Sequence, residues 1–138
     1  NLVNVVAARA TLTVDLRNTD EAVLATSERG LRARVDEIAA AEGVTASWRS
    51  LARFAPVAFA EDVISLVERA AGDRGHTVMR LPSGAGHDAQ MLARMCPTGM
   101  VFVPSRGGVS HNPAEFTEPE DLAAGCQVLA DVLVELAS

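Results

Sequence analysis

Two glycine-rich turns, each delivering a histidine and separated by a short apolar run, constrain this chain more than any other feature. They fall within residues 81–113, LPSGAGHDAQMLARMCPTGMVFVPSRGGVSHNP. Gly84, Ala85 and Gly86 lead into His87 and Asp88, and Gly107 and Gly108 lead into Ser110 and His111. Glycine lets a backbone turn sharply and leaves room for a ligand beside it. Between the turns, Met100 to Val103 is apolar throughout, which reads as a strand buried on both faces. With Thr77 to Leu81 as a preceding strand and Asp88 to Met95 as a helix, the order predicts a parallel pair joined by a crossover. The two turns are therefore expected to form the rim of one pocket.

Upstream, Ala10, Leu12, Val14 and Leu16 alternate with Thr11, Thr13, Asp15 and Arg17, the period of a strand with one buried face. Arg17 falls on its polar face, where pairing with Asp15 or Asp20 in solvent is one reading. Thr19 offers an N-cap, Asp20 and Glu21 suit the positive end of a helix, and Gly43 suits its stop, so a long helix is predicted between them. Leu24, Leu31, Val35 and Ile38 form its apolar stripe, expected to cover a sheet. Val44 to Arg53 alternates again as a second strand, with Trp48 a core or interface ring. Pro56, within Phe54 to Phe59, marks the domain boundary, because proline biases its predecessor away from helix. Beyond it, Glu61 to Gly72 is helical, with Val63, Ile64, Val67, Ala70 and Ala71 at helical spacing. His76 caps or faces solvent. Thr117, Pro119 and Glu120 form a capped start to a last helix whose buried stripe is Leu122, Cys126, Leu129, Leu133 and Leu136.

At 138 residues with 49% hydrophobic content, the chain has the size of one domain and enough apolar residues for a core. A formal net charge of −6, with arginines dispersed among acids, provides no basic face for phosphate contacts and argues against nucleic acid as a partner. Neither a membrane-length apolar run nor a signal sequence opens the chain, so a cytoplasmic location is expected. Cys96 and Cys126 lack metal-ligand spacing and read as buried thiols. The chain starts at Asn1 without methionine, already in strand-like sequence, and is expected to be a fragment or processed piece.

Several chemistries fit the glycine turns. Gly84, Gly86 and Ala89 match the G-x-G-x-x-G/A spacing of a dinucleotide fingerprint, but no acidic residue follows about twenty positions later, where only Arg106 is charged. Ser83 or Ser110 with His87 or His111 would be a nucleophile pair, yet there is no G-x-S-x-G elbow. A metal site fits His111 better, placed after a buried strand in a glycine-rich loop, although such a site needs three or four ligands.

Taken together, SGAGHDA, MVFVPSRGGVSHNP and the acidic capped terminal helix resemble the C-terminal portion of the N-carbamoyl-L-amino-acid hydrolases and allantoate amidohydrolases, of the dinuclear-metal superfamily that also holds aminoacylases and carboxypeptidase G. Asn4 in NLVNVV and Arg17 in TVDLRN look like that family's lid-domain asparagine and arginine. Ala7 stands where the family usually has proline. The resemblance implies an α/β chain. Residues 1–55 would be half of an α+β lid and dimerisation domain (strand-helix-strand), and residues 56–138 the closing strand-helix-strand-helix part of a metallohydrolase catalytic domain. It implies His111 as a ligand of one of two divalent ions, zinc or manganese. His87 would stabilise the oxyanion of the scissile group, with Gly86 beside the substrate, and Asn4 and Arg17 would hold the substrate's carboxylate, often in the partner subunit of a homodimer. The remaining ligands and the general-base glutamate would lie in a segment that this chain lacks, supplied by the rest of the protein or a second subunit. Alone, the chain is expected to bind metal weakly and to be inactive. A non-catalytic assembly or dimerisation piece is the rival reading.

Overall fold

The computed structural model describes residues 3–138 and divides the chain into two compact units, Asn1–Pro56 and Val57–Ser138. Among the described residues four helices form: α1 (Glu21–Glu42), α2 (Glu61–Asp73), the single turn α3 (Ala89–Leu92) and α4 (Pro119–Leu136), with a 3₁₀ turn at Arg106–Gly108.

The first unit is built on α1. Asp20, not Thr19, is its N-cap: the carboxylate accepts from the N–H groups of Ala22 (2.8 Å) and Val23 (3.0 Å). A charged acceptor at the positive end of a helix is stabilised more than a hydroxyl would be. Gly43, at φ 66°, ends the helix in the left-handed conformation, and Val44 N–H returns to the Ala39 carbonyl (2.9 Å). The segment after it folds back along α1, where Arg53 spans Glu21 (2.6 Å) and Glu28 (3.2 Å). Arg32 lies over the Trp48 ring at 5.5 Å, so this ring stacks on a cation at the surface and is not core. Leu24 and Ala39 are the buried residues of α1, while Ile38 is exposed.

The second unit is organised by α2 against α4. Leu66, Ala70 and Ala71 pack on Val128 and Val132, with Val67 at the margin. The apolar stripe predicted for α4 is displaced: Leu122, Cys126, Leu129, Leu133 and Leu136 are exposed, and the face turned to α2 carries the valines. Small residues on α2 admit the β-branched valines at close range, so packing went to shape and not to the longest apolar row. Arginines tie the edges. Arg74 grips Asp131 (2.5 and 2.9 Å), Arg69 pairs with Glu135, and Arg80 holds Glu61 (2.5 Å) and Glu68 (2.6 Å).

The α/β expectation is overturned: among the described residues no strand forms. Alternation states which side chains want one face, but a strand exists only when a neighbour completes the ladder of N–H and C=O bonds. Among the described residues no backbone hydrogen bonds join the predicted strands into a ladder. Leu12 and Val14 are 87% and 52% exposed, and Phe102, predicted to be buried, is 52% exposed. Residues 77–81 are secured by the Arg80 side chain, and residues 100–103 by close packing of Val103 on Gly125 of α4. Cys96 and Cys126 are free and exposed, against the buried-thiol expectation.

The accessible surface is 11075 Å². A folded monomer of this mass would show roughly 6900 Å², and two separate globules of half that mass about 8300 Å² together. The apolar content foreseen for a core is therefore largely unburied in this chain.

A Cβ on Gly125 would overlap Val103 Cγ1, so the Gly125→Ala variant is expected to lose about 1–3 kcal/mol. Adding Val103→Ala should give part of this back relative to the sum of the single changes, as measured by urea unfolding. The Asp131 carboxyl lies below its ordinary value of 3.8, chiefly because Arg74 donates to it. A depressed carboxyl contributes stability above that value and loses it as pH falls through the lowered one. Asp131→Asn should thus be less stable than the parent at neutral pH, with the gap closing below about pH 4, in melts across pH.

Candidate functional site

His87 stands at the start of α3, and its ring takes over the capping role that Asp88 leaves open. The Ala89 N–H donates to His87 Nδ1 (3.0 Å), and the Gln90 N–H to the His87 carbonyl (2.9 Å). A neutral imidazole has one acceptor and one donor nitrogen. With Nδ1 accepting a backbone hydrogen bond, the proton resides on Nε2, which makes the exposed ring a hydrogen-bond donor there. Gly84 and Gly86 do not sit at positive φ, and a Cβ on Gly86 would meet nothing nearer than Gln90 Oε1 at 4.0 Å. The first turn is therefore open around its glycines. The helix after it is a single turn, too short to serve as the phosphate-binding terminus that the Gly84, Gly86, Ala89 fingerprint requires.

The second turn does use left-handed backbone. Gly107 and Gly108 lie at φ 65° and 68°, and His111 itself at φ 54°, a conformation uncommon outside glycine. Its surroundings hold it there. The His111 N–H donates to Glu115 Oε2 (2.9 Å), the Ala114 N–H to Asn112 Oδ1 (2.9 Å), and the Glu115 N–H to the Asn112 carbonyl (2.9 Å). At the neck, Arg106 N–H reaches the Phe116 carbonyl (2.8 Å), while the Arg106 guanidinium lies over the Phe116 ring (4.4 Å) and grips Glu118 (2.6 Å). Pro119 opens α4, which makes Glu118, and not Thr117, the residue before it, and with the Glu118 carboxylate on Arg106 no side chain caps the helix. The loop is pinned at its base and presents an exposed His111.

Beside α2 and α4, the segments 76–83 and 100–104 wall a cavity of about 380 Å³. Its lining is mainly apolar, with Glu68, His76, Thr77, Arg80, Ser83 and Asp121 as polar members, and it includes neither His87 nor His111. The single rim expected for both histidines is thus not what encloses this cavity. Among the described residues, no three of His, Cys, Asp and Glu come together as a metal site. His111 is one imidazole donor, and the donor set of a two-ion centre does not fit within these residues alone.

In the first unit Arg17 is exposed and gripped by Asp15: Nε reaches Oδ1 (3.0 Å) and Oδ2 (3.1 Å), and Nη2 reaches Oδ2 (2.6 Å). This hydrogen bonding holds the Asp15 carboxyl below its ordinary value and raises the Arg17 guanidinium. Asn4 lies in an exposed turn. Sequence reasoning missed Glu115, Arg106 and Glu118 as the residues that fix the His111 loop. The signal available was their charge and spacing, with an acid four positions after His111 and opposite charges twelve apart at the loop's neck.

The chain belongs to the peptidase family M20/M25/M40, whose sequence profile matches residues 3–135. Among its relatives, the allantoate amidohydrolase of Bacillus subtilis is 36% identical over 137 residues, which are 99% of this chain and 33% of that protein. The N-carbamoyl-L-amino acid amidohydrolase of Geobacillus stearothermophilus is 38% identical over 135 residues, 98% of this chain and 33% of that protein. In structure, the hydantoinase/carbamoylase family amidase of Burkholderia multivorans superposes with a TM-score of 0.79 at 40% identity, covering 86% of this chain and 29% of that one. The chain spans about a third of the length of the curated relatives it matches. No helix among the described residues is long and apolar enough to cross a membrane.

The hydrogen bond from Ala89 makes a direct prediction. In ¹⁵N spectra at pH above the histidine range, His87 should show an unprotonated Nδ1 and a protonated Nε2. Ala89→Pro, which lacks the N–H, should remove that bias, at the cost of strain at Asp88, whose α conformation a following proline disfavours.

Proposed function

We propose that this chain is the closing part of an amidohydrolase that cleaves the carbamoyl or ureido C–N bond of N-carbamoyl-L-amino acids or allantoate-like substrates, and that it is inactive alone. The observation that carries the reading is the family match over residues 3–135 together with relatives named for those two activities. In this proposal residues 1–55 belong to a lid that pairs two subunits, and residues 56–138 to the catalytic domain of a cytoplasmic enzyme. His111 offers one ligand to a centre of two divalent ions, zinc or manganese, whose other ligands come from outside these residues.

The roles of the chain's own residues follow from their chemistry. His87, its proton placed on Nε2 by the Ala89 cap, donates to the scissile group's oxygen as negative charge develops there. The open backbone at Gly86 leaves room for substrate next to it. Arg17 binds the substrate's carboxylate through its guanidinium, and Asn4 adds an amide to the same group. Water attacks the carbamoyl or ureido carbon, with the general base supplied by the segment that this chain does not include. The unburied apolar surface supports the view that the chain works only as part of a larger assembly.

The test is ammonia release from N-carbamoyl amino acids and allantoate by the complete protein that carries these residues, beside the isolated 138 residues. Turnover by the complete protein and none by the isolated chain is expected. His87→Ala should lower kcat by about 10²–10³-fold, as loss of an oxyanion donor does. Arg17→Gln should act mainly on KM for carboxylate substrates. Turnover by the isolated chain, or inactivity of the complete protein on both substrate types, would sink the proposal.

A further inference from the structure

We infer that the exposed leucine seam of α4 is the seat of a further helix, contributed by the part of the same polypeptide that lies outside these residues. The inference rests on the reading, under Proposed function, that this chain is one part of a longer enzyme, and not on the reaction assigned there. Leu122, Cys126, Leu129, Leu133 and Leu136 recur at steps of four, three, four and three, the spacing at which one helix receives the side chains of another. All five are exposed, the leucines between 46% and 59%. The seam runs along nearly the whole of α4, roughly 21 Å at the rise of a helix.

The charges of α4 lie away from this face. Its acids are Glu120, Asp121, Asp131 and Glu135, and no basic residue accompanies them. Asp131 and Glu135 turn to Arg74 and Arg69 on the side of α2, Glu120 stands three turns before Asp131 in the same row, and Asp121 borders the cavity. Beside the seam stand Ala123, Ala130 and Val134, exposed and without charge. A helix that is apolar on two opposite sides belongs between two neighbours, of which α2 is one. The same lack of charge selects the other. Two copies of this chain meeting at a symmetric seam would need polar or charged flanks to fix register and orientation, and none is there. A helix tethered in the same polypeptide needs no such selection, because the chain itself holds it at high local concentration. The relatives are long enough to supply one, since these residues match a third of their length. Alanines next to the leucines let the incoming backbone approach closely.

Cys126 lies in the seam and reports on it. In the complete protein its alkylation by iodoacetamide, read by mass spectrometry, should be about a hundredfold slower than in the same protein unfolded in urea, at a rate that dilution does not change. Alkylation at the unfolded rate would mean an open face and overturn the inference. Protection lost on dilution would put a second copy on the seam, which overturns it too. To identify the occupant, benzoylphenylalanine replaces Val134, at the seam's edge and 67% exposed, where a larger side chain has room. Irradiation should join it, within one polypeptide, to a segment outside these 138 residues that carries apolar residues at steps of three and four. A cross-link within the 138 residues, to a second molecule, or to a segment without that spacing would overturn the inference, as would none at all. Ammonia release enters none of these readouts. A complete protein inactive on both substrate types can therefore still pass them, while a reactive Cys126 in an active one sinks the helix seat alone.

Discussion

The contact between α2 and α4 is the one on which the second unit depends. Leu66, Ala70 and Ala71 meet Val128 and Val132, and no larger apolar cluster stands behind them. The two alanines let the helices approach closely enough for the valines to seat. With so small a core, register is set at the edges, where Arg74 reaches Asp131 and Arg69 reaches Glu135. Exposed ion pairs of this kind are individually weak, so they align the helices more than they stabilise them. The cavity walled by residues 76–83 and 100–104 exists because both segments lie along this helix pair, one held by Arg80 and one by Val103 on Gly125.

From α4 the order extends into the His111 loop. Glu118, at the helix start, is tied to Arg106, and Arg106 covers Phe116, which closes the loop at its base. Within the closed loop, Glu115 and Asn112 satisfy backbone donors locally, which is what allows His111 to keep a left-handed conformation. His87 is ordered by a different device, a cap on a single helical turn. The His87 ring and the His111 backbone are thus held by neighbours within a few residues, and the unit needs no large core to present them.

Much of this was legible in the residues. The three long helices follow from apolar periodicity and from end signals such as Asp20, Gly43 and Pro119. The glycine turns single out His87 and His111, and spacing offers Asp15 or Asp20 as a partner for Arg17, of which Asp15 is the one seen. What could not be read was who would pair with whom. Asn4 to Arg17, Val44 to Arg53, Thr77 to Leu81 and Met100 to Val103 carry strand-like patterns, yet a ladder depends on a second segment at the right place, which a pattern within one segment does not encode. The face of α4 was misjudged for a related reason: Leu122, Leu129, Leu133 and Leu136 form the longer apolar row, but α2 offers alanines, which select Val128 and Val132.

The sequence by itself determined which three segments form the long helices, which histidines sit in glycine-rich turns, and the family to which the chain belongs, because these depend on local chemistry and on residues in a fixed order. Only the tertiary structure decided that the predicted strands stay unpaired, which face of α4 is buried, that Ala89 places the proton on His87, and that Glu115 holds His111. These rest on distances between groups brought together by folding, and hydrogen bonding and close packing act over a few ångströms whatever the separation along the chain.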